Sequence, residues 1–156
     1  TAMVTKRNAV LLISLMLWTT AGCMGHAQEG HEANQNTFAT CPDSPNCVST
    51  KSTDPDRAMS PLPYVETREK SRERLILVLR SMKRCTIVTA KPPYVHAEFR
   101  SALFGFVDDV TFVFDDDERL IHFRSASRTG YYDFGANRNR MKEISLRYMD
   151  PTRKKD

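Results

Sequence analysis

The sequence predicts an α+β two-layer sandwich: a four-stranded, mainly antiparallel sheet with a preceding helix and a closing helix. Three observations point there. Residues 86–127 hold four adjacent strand-like runs joined by short turns, and neighbouring runs with no helix between them pair antiparallel. Helical stripes flank that block on both sides, with apolar residues recurring at three- and four-residue spacing. Without its first 22 residues the 156-residue chain has the length to bury one core and not two.

At the N-terminus, Thr1 and Ala2 before Met3 read as a tag scar or an over-extended reading frame. Lys6 and Arg7 precede an apolar run from Ala9 to Trp18. That run is shorter than the ~20 residues of a membrane-crossing helix and suits the apolar part of a secretory signal, so residues 1–22 are expected to be a signal peptide. Thr20-Ala21-Gly22-Cys23 resembles the lipobox of bacterial lipoproteins, where small residues precede a cysteine that takes a diacylglycerol thioether. Thr20 stands where that motif usually has leucine. A simply cleaved signal, or an uncleaved anchor with Cys23 as an ordinary thiol, are the alternatives. The expected location is the cell envelope, on the periplasmic side of a bacterial membrane, with the membrane as partner through a lipid on Cys23.

Loss of Lys6 and Arg7 from the 23 basic residues leaves 21 against 19 acidic ones. The sequence pI of ≈ 9.0 is therefore no nucleic-acid footprint, and no nucleic-acid partner is expected. Residues 23–40 are polar and small, a flexible tether by composition. His26, His31, Glu29 and Glu32 lie in it without any preformed coordination geometry, so no metal is assigned.

A single globular domain is expected over 41–149, followed by a polar tail at 150–156. It opens with Cys41-Pro42-Asp43-Ser44-Pro45-Asn46-Cys47. In an oxidising envelope two cysteines around a proline-restricted loop favour a Cys41–Cys47 disulfide, since closure costs such a loop little entropy. Cys85 is left over as a buried thiol, with pairing to Cys41 or Cys47 as the alternative. Thr67 caps a helix whose first half, Arg68 to Arg74, is charged and whose apolar face is Leu75, Val78, Leu79 and Met82.

Thr86 to Lys91 reads as a strand ended by Pro92-Pro93. Tyr94 to Ser101 alternates, with Tyr94, His96, Glu98 and Arg100 on a wet face opposite Val95, Ala97 and Phe99. Val107 to Phe114 puts Val110, Phe112 and Phe114 on one face. Asp115 to Glu118 then turns the chain, too short and irregular for a calcium loop. Leu120 to Ser127 directs Ile121 and Phe123 to the core and His122, Arg124 and Ala126 away from it. After Gly135, Met141, Ile144, Ser145 and Tyr148 mark one stripe of the closing helix.

These residues carry a resemblance. Cys41-Pro-Asp-Ser-Pro-Asn-Cys-Val-Ser49, Pro61-Leu62, Tyr94 to Ser101, Phe104-Gly-Phe-Val-Asp-Asp109 and Arg124-Ser-Ala-Ser-Arg-Thr-Gly130 continuing to Asn137-Arg138 resemble the domain-of-unknown-function 1499 family of bacterial envelope and plastid proteins. The resemblance spans about Cys41 to Met149. It implies a single, often exported domain and supplies no catalytic residues. Thr50 and Thr111 stand where serine and glutamate are more usual in that family.

The run from Arg124 to Arg140 packs anion-gripping side chains around two glycines. The candidate ligand-binding residues are Arg124, Ser125, Ser127, Arg128, Asp133, Asn137 and Arg138, with Asp108 and Asp109 as the available acids. Gly130 permits a tight turn, and the helix that follows presents free N–H groups suited to an anionic small ligand. Arg138 and Arg140 in its first turn oppose the helix dipole, which acids or a bound anion relieve. The competing explanation is an Arg–Asp network clamping the helix to the sheet. Two further alternatives are a hydrolase-like site built from Ser125 or Ser127, His96 or His122 and an aspartate, and a purely structural envelope component that docks a protein. There is no nucleophile elbow, both histidines are expected to face the surface, and no cofactor or catalytic residue is assigned.

Overall fold

The structure, a computed structural model, describes residues 40–152. The expected signal peptide, Cys23, nearly all of the tether and residues 153–156 lie outside the described residues. The elements are β1 (Cys47–Ser49), β2 (Leu62–Pro63), α1 (Arg68–Ser81), β3 (Cys85–Thr89), β4 (Tyr94–Arg100), β5 (Val107–Asp115), β6 (Leu120–Ser127) and α2 (Ala136–Met149). The sheet runs β1-β6-β5-β4-β3, with β2 also paired to β6, and every strand pair is antiparallel.

The class is α+β with a mostly antiparallel sheet and two helices, but the sheet has six strands instead of four. The first helix follows two strands and does not open the domain. Both extra strands pair with the flank of β6 that the four-strand reading left bare: Cys47 opposite Ala126, Leu62 opposite Ile121. At three and two residues they are too short to show a period, and all three residues of β1 are buried.

Side-chain parity in the long strands positions everything else. In β5 Asp108, Val110, Phe112 and Phe114 are buried while their neighbours are half-buried, and Val95, Ala97 and Phe99 do the same in β4. Val95, Phe112 and Phe123 line up across three strands, forming the middle of the inner face. Helix α1 lays Leu75, Val78 and Leu79 on that face, and α2 lays Met141, Ile144 and Tyr148. The Thr67 hydroxyl accepts a hydrogen bond from the Lys70 N–H at 3.2 Å and starts α1. Tyr148 is fully buried and its hydroxyl donates to the Pro63 carbonyl at 3.0 Å, joining the last turn of α2 to β2.

Cys41 and Cys47 are disulfide-linked, with Cα atoms 5.6 Å apart. Cys85 is a free thiol at the start of β3, and burial pushes its pKa up to about 11 despite the opposing charge of Arg140. The thiol is half-buried where the sequence predicts burial, and the raised pKa keeps it largely protonated at neutral pH.

Candidate functional site

The Arg124–Arg140 run is divided between the two faces of the sheet. Alternation along β6 directs Ser125 and Ser127 inward and Arg124 outward, so residues adjacent in sequence serve different networks.

The inner network sits under the first turn of α2. Asn137 is fully buried; its Oδ1 accepts from Ser125 Oγ at 2.6 Å and Arg140 Nη1 at 2.7 Å. Its amide nitrogen faces the Asn46 carbonyl at 2.9 Å, Ser127 Oγ at 3.0 Å and Asp133 Oδ2 at 2.8 Å. Asp133 also accepts the backbone N–H groups of Gly135 and Asn137, both at 2.9 Å. It satisfies two of the helix's free donors itself. Arg140 pairs with Asp108 through side chains only 13% and 9% exposed, and its guanidinium lies 4.8 Å from the centre of the Phe99 ring. For Asp108, Ser125, Ser127, Asp133 and Asn137 the geometry is that of a clamp between helix and sheet. Arg138 stands apart, donating to the carbonyls of Asp56 at 2.6 Å and Ala58 at 3.3 Å.

The outer network gathers side chains from β4, β5 and β6. Arg128 donates to both oxygens of Asp109 at 2.6 and 2.8 Å, and to Glu98. His96 Nε2 lies 2.7 Å from Asp109 Oδ1, and Arg100 reaches Glu98 at 3.5 Å. The register explains the assembly: Glu98 stands directly opposite Asp109, and Thr111 lies between His96 and Arg124. Arg124 differs from every other arginine of the run. Its Nε is buried without a hydrogen-bond partner, and among the described residues no carboxylate forms an ion pair with it. Burial lowers its pKa, against the pull of Asp109. Three guanidiniums thus face two carboxylates, and the surplus charge rests on Arg124.

Neither histidine meets a serine of the run. Ser125 is spent on Asn137 on the inner face, whereas His96 lies on the outer face, so the Ser/His/Asp arrangement does not assemble from these residues. His122 corrects the expectation of a surface histidine: it is 5% exposed, covered by the segment after β1, with Nδ1 3.1 Å from Thr50 Oγ1 and Nε2 2.8 Å from Glu118 Oε2. Asp115, Glu118 and His122 each turn one possible ligand atom to a common point, all within 4.8 Å of one another. Lys51 Nζ lies 3.6 Å from the same Glu118 oxygen, and an ammonium there opposes a cation. Glu98, His96, Arg100, Arg140 and Asn46 belong to these networks without having been ligand-binding candidates on the sequence; the alternation of β4 was the signal for the first three.

Residues 37–147 match the family described as protein of unknown function, DUF1499. The chain belongs to this family. No curated protein and no solved structure matches it. The DUF1499 match takes in the disulfide, both networks and most of α2.

In this DUF1499 domain Asp109 is the most perturbed acid. Burial pushes its carboxyl up, but hydrogen bonds from His96 and Arg128 and the charges of both outweigh that and hold it at about 2 against an ordinary 3.8. The unfolded chain therefore takes up the proton first, so the stabilisation is complete above about pH 4 and is lost as pH falls through about 2. With Arg128 44% exposed, solvent screening limits the contribution to about 1–2 kcal/mol. Thermal melts across that window are expected to show a decline that is reduced in Asp109→Asn; an identical decline in both proteins would assign it to other groups.

Proposed function

We propose that the protein is an exported, lipid-anchored binding protein of the bacterial envelope that takes an anionic group of a small ligand at Arg124, on the outer face of the sheet. The Lys6-Arg7 start, the short apolar run and Ala21-Gly22-Cys23 support the anchored location. The observation that carries the binding role is the state of Arg124. Arg128 and Arg140 are paired with carboxylates, and Arg138 is bonded to carbonyls. Among the described residues Arg124 alone of these four has neither an ion-pair partner nor a bonded carbonyl: its Nε is buried without an acceptor, and Asp109 offsets the burial of its charge only in part.

Such a group costs stability in the free protein and is relieved by a carboxylate or phosphate that brings paired acceptors. Thr111 stands opposite it in register and offers a further polar contact, with His96 one strand beyond. The expected behaviour of Arg124→Met is unusual for a half-buried residue. Its ligand-free melting temperature should be unchanged or higher, by up to about 1 kcal/mol in stability, because a stranded charge is replaced by an apolar chain of similar shape. Thermal shift with phosphate, sulfate and di- and tricarboxylates should stabilise the wild type with at least one of them and leave Arg124→Met unmoved. A marked loss of stability in ligand-free Arg124→Met would make the guanidinium structural and defeat the binding role.

A further inference from the structure

We propose that the two loops at one end of the sheet seat the domain in a lipid surface. Ten large apolar side chains are conspicuously exposed among the described residues, and six of them fall in these loops. Leu103, Phe104 and Phe106 join β4 to β5 at 81%, 71% and 55% exposure; Tyr131, Tyr132 and Phe134 join β6 to α2 at 74%, 59% and 86%. Soluble domains hide such side chains unless a partner covers them. The loops leave the sheet side by side: Arg100 stands opposite Val107, Asp108 opposite Ser127, and the Arg128 N–H donates to the Val107 carbonyl at 3.0 Å.

Within each loop the rings support one another, with Phe104 and Phe106 5.6 Å apart between centroids and Tyr132 and Phe134 5.1 Å apart. Gly105 and Gly130, at φ +67° and +89°, turn the two tips. Phenylalanine, leucine and tyrosine on projecting loops have the chemistry of a membrane interface, where an apolar body and a polar tip are both accommodated. The neighbouring charges suit anionic headgroups. Arg84 stands at this end in no ion pair among the described residues, Arg100 and Arg128 are there too but share Glu98 and Asp109, the first loop contains no acid, and the one acid of the second, Asp133, is turned onto the N–H groups of α2.

A lipid surface is favoured over a protein partner by where the chain enters the domain. Cys47 is linked to Cys41 and stands opposite Ala126, the Asn46 carbonyl accepts from the Ser127 N–H, and the Asn46 amide donates to the Gly130 carbonyl. The N-terminal segment therefore joins the domain at the same end as the aromatic loops. Seventeen residues lie between Cys23 and Cys41, and a chain of that length reaches at most about 60 Å even when fully extended. A lipid on Cys23 would keep the end of the domain where the chain enters, and these loops with it, within reach of the bilayer, where a weak interfacial contact gains from the high local concentration. The inference rests on the anchored reading of Cys23.

The full chain in vesicles of phosphatidylethanolamine and phosphatidylglycerol tests it, with Trp18→Phe removing the only tryptophan. Phe104→Trp and Phe134→Trp then report from the loops and Asp117→Trp from the opposite end of the sheet. Blue-shifted emission that loses most of its intensity to brominated lipid is expected for the two loop reporters and not for Asp117→Trp. Loop reporters left open to an aqueous quencher would overturn the proposal, as would loop reporters shielded from water yet untouched by brominated lipid, which would mean a protein or a second copy covers them. Labelling of Cys23 with palmitate, lost in Cys23→Ser, separates the two ideas. A labelled protein with unquenched loops defeats the docking alone, and quenched loops on an unlabelled protein uphold the docking while removing the anchor.

Discussion

Arg140→Met is expected to lower the stability of the domain by roughly 3–5 kcal/mol, read from urea or thermal unfolding. The guanidinium is enclosed by Asp108, Ser125 Oγ, Asn137 Oδ1 and the face of Phe99. Removing it leaves a 9%-exposed carboxylate with no counter-charge, and that stranded group causes the loss more than the missing attraction does. Arg140→Met combined with Asp108→Leu should therefore recover most of the stability, because a buried ion pair replaced by apolar side chains of similar volume is close to neutral. If the double variant is as unstable as the single one, the pair is not the cause and the packing of α2 is. Arg128→Gln makes the contrast. It breaks two ion pairs, yet at 44% exposure its loss should stay within about 1 kcal/mol.

Asn137→Ala is expected to cost roughly 3 kcal/mol or more, measured as a shift of the denaturant midpoint at unchanged slope. The side chain is fully buried and addresses groups on three segments: Ser125 and Ser127 in β6, the Asn46 carbonyl before β1, and Asp133 before α2. Truncation strands two or three of them at about 1–3 kcal/mol each. A loss below about 1 kcal/mol would show that water replaces the amide and that the clamp does not depend on it.

Much of this arrangement could be read from periodicity alone, and the exceptions have identifiable causes. Strands β4 and β5 announce themselves because each buries one face over seven to nine residues, enough for alternation to show, while β6 keeps the sequence alternation but has His122 and Ala126 buried on its outer face as well. The same alternation was the signal that Arg124 and Ser125, grouped in one candidate site on the sequence, point to opposite faces. Asn137, expected at a ligand site, instead continues the Met141, Ile144 and Tyr148 stripe one turn toward the helix start, a spacing that was the available signal for its burial.

What the sequence did not disclose is tertiary. Strands β1 and β2 exist only because β6 offers them an unpaired flank, and His122 is buried only because the segment after β1 lies over it. Which helix arginine reaches Asp108 depends on the exact placement of α2, and no pattern in the chain distinguishes Arg140 from Arg138 in that respect. The disulfide was legible because two prolines and a short loop confine the cysteines.

The pairing of β1 with β6 bears on how this chain folds. Cys47 meets Ala126, so the first strand made waits for nearly the last, and closing a loop of that length costs roughly 4 kcal/mol before any contact repays it. The β4–β5–β6 meander, by contrast, forms from neighbours in sequence. A chain threaded N-terminus first through a narrow passage would emerge with β1 and β2 lacking their only partner until β6 followed. Such a topology delays closure of the sheet until nearly the whole domain is available, so the meander is the part of the sheet that can form first.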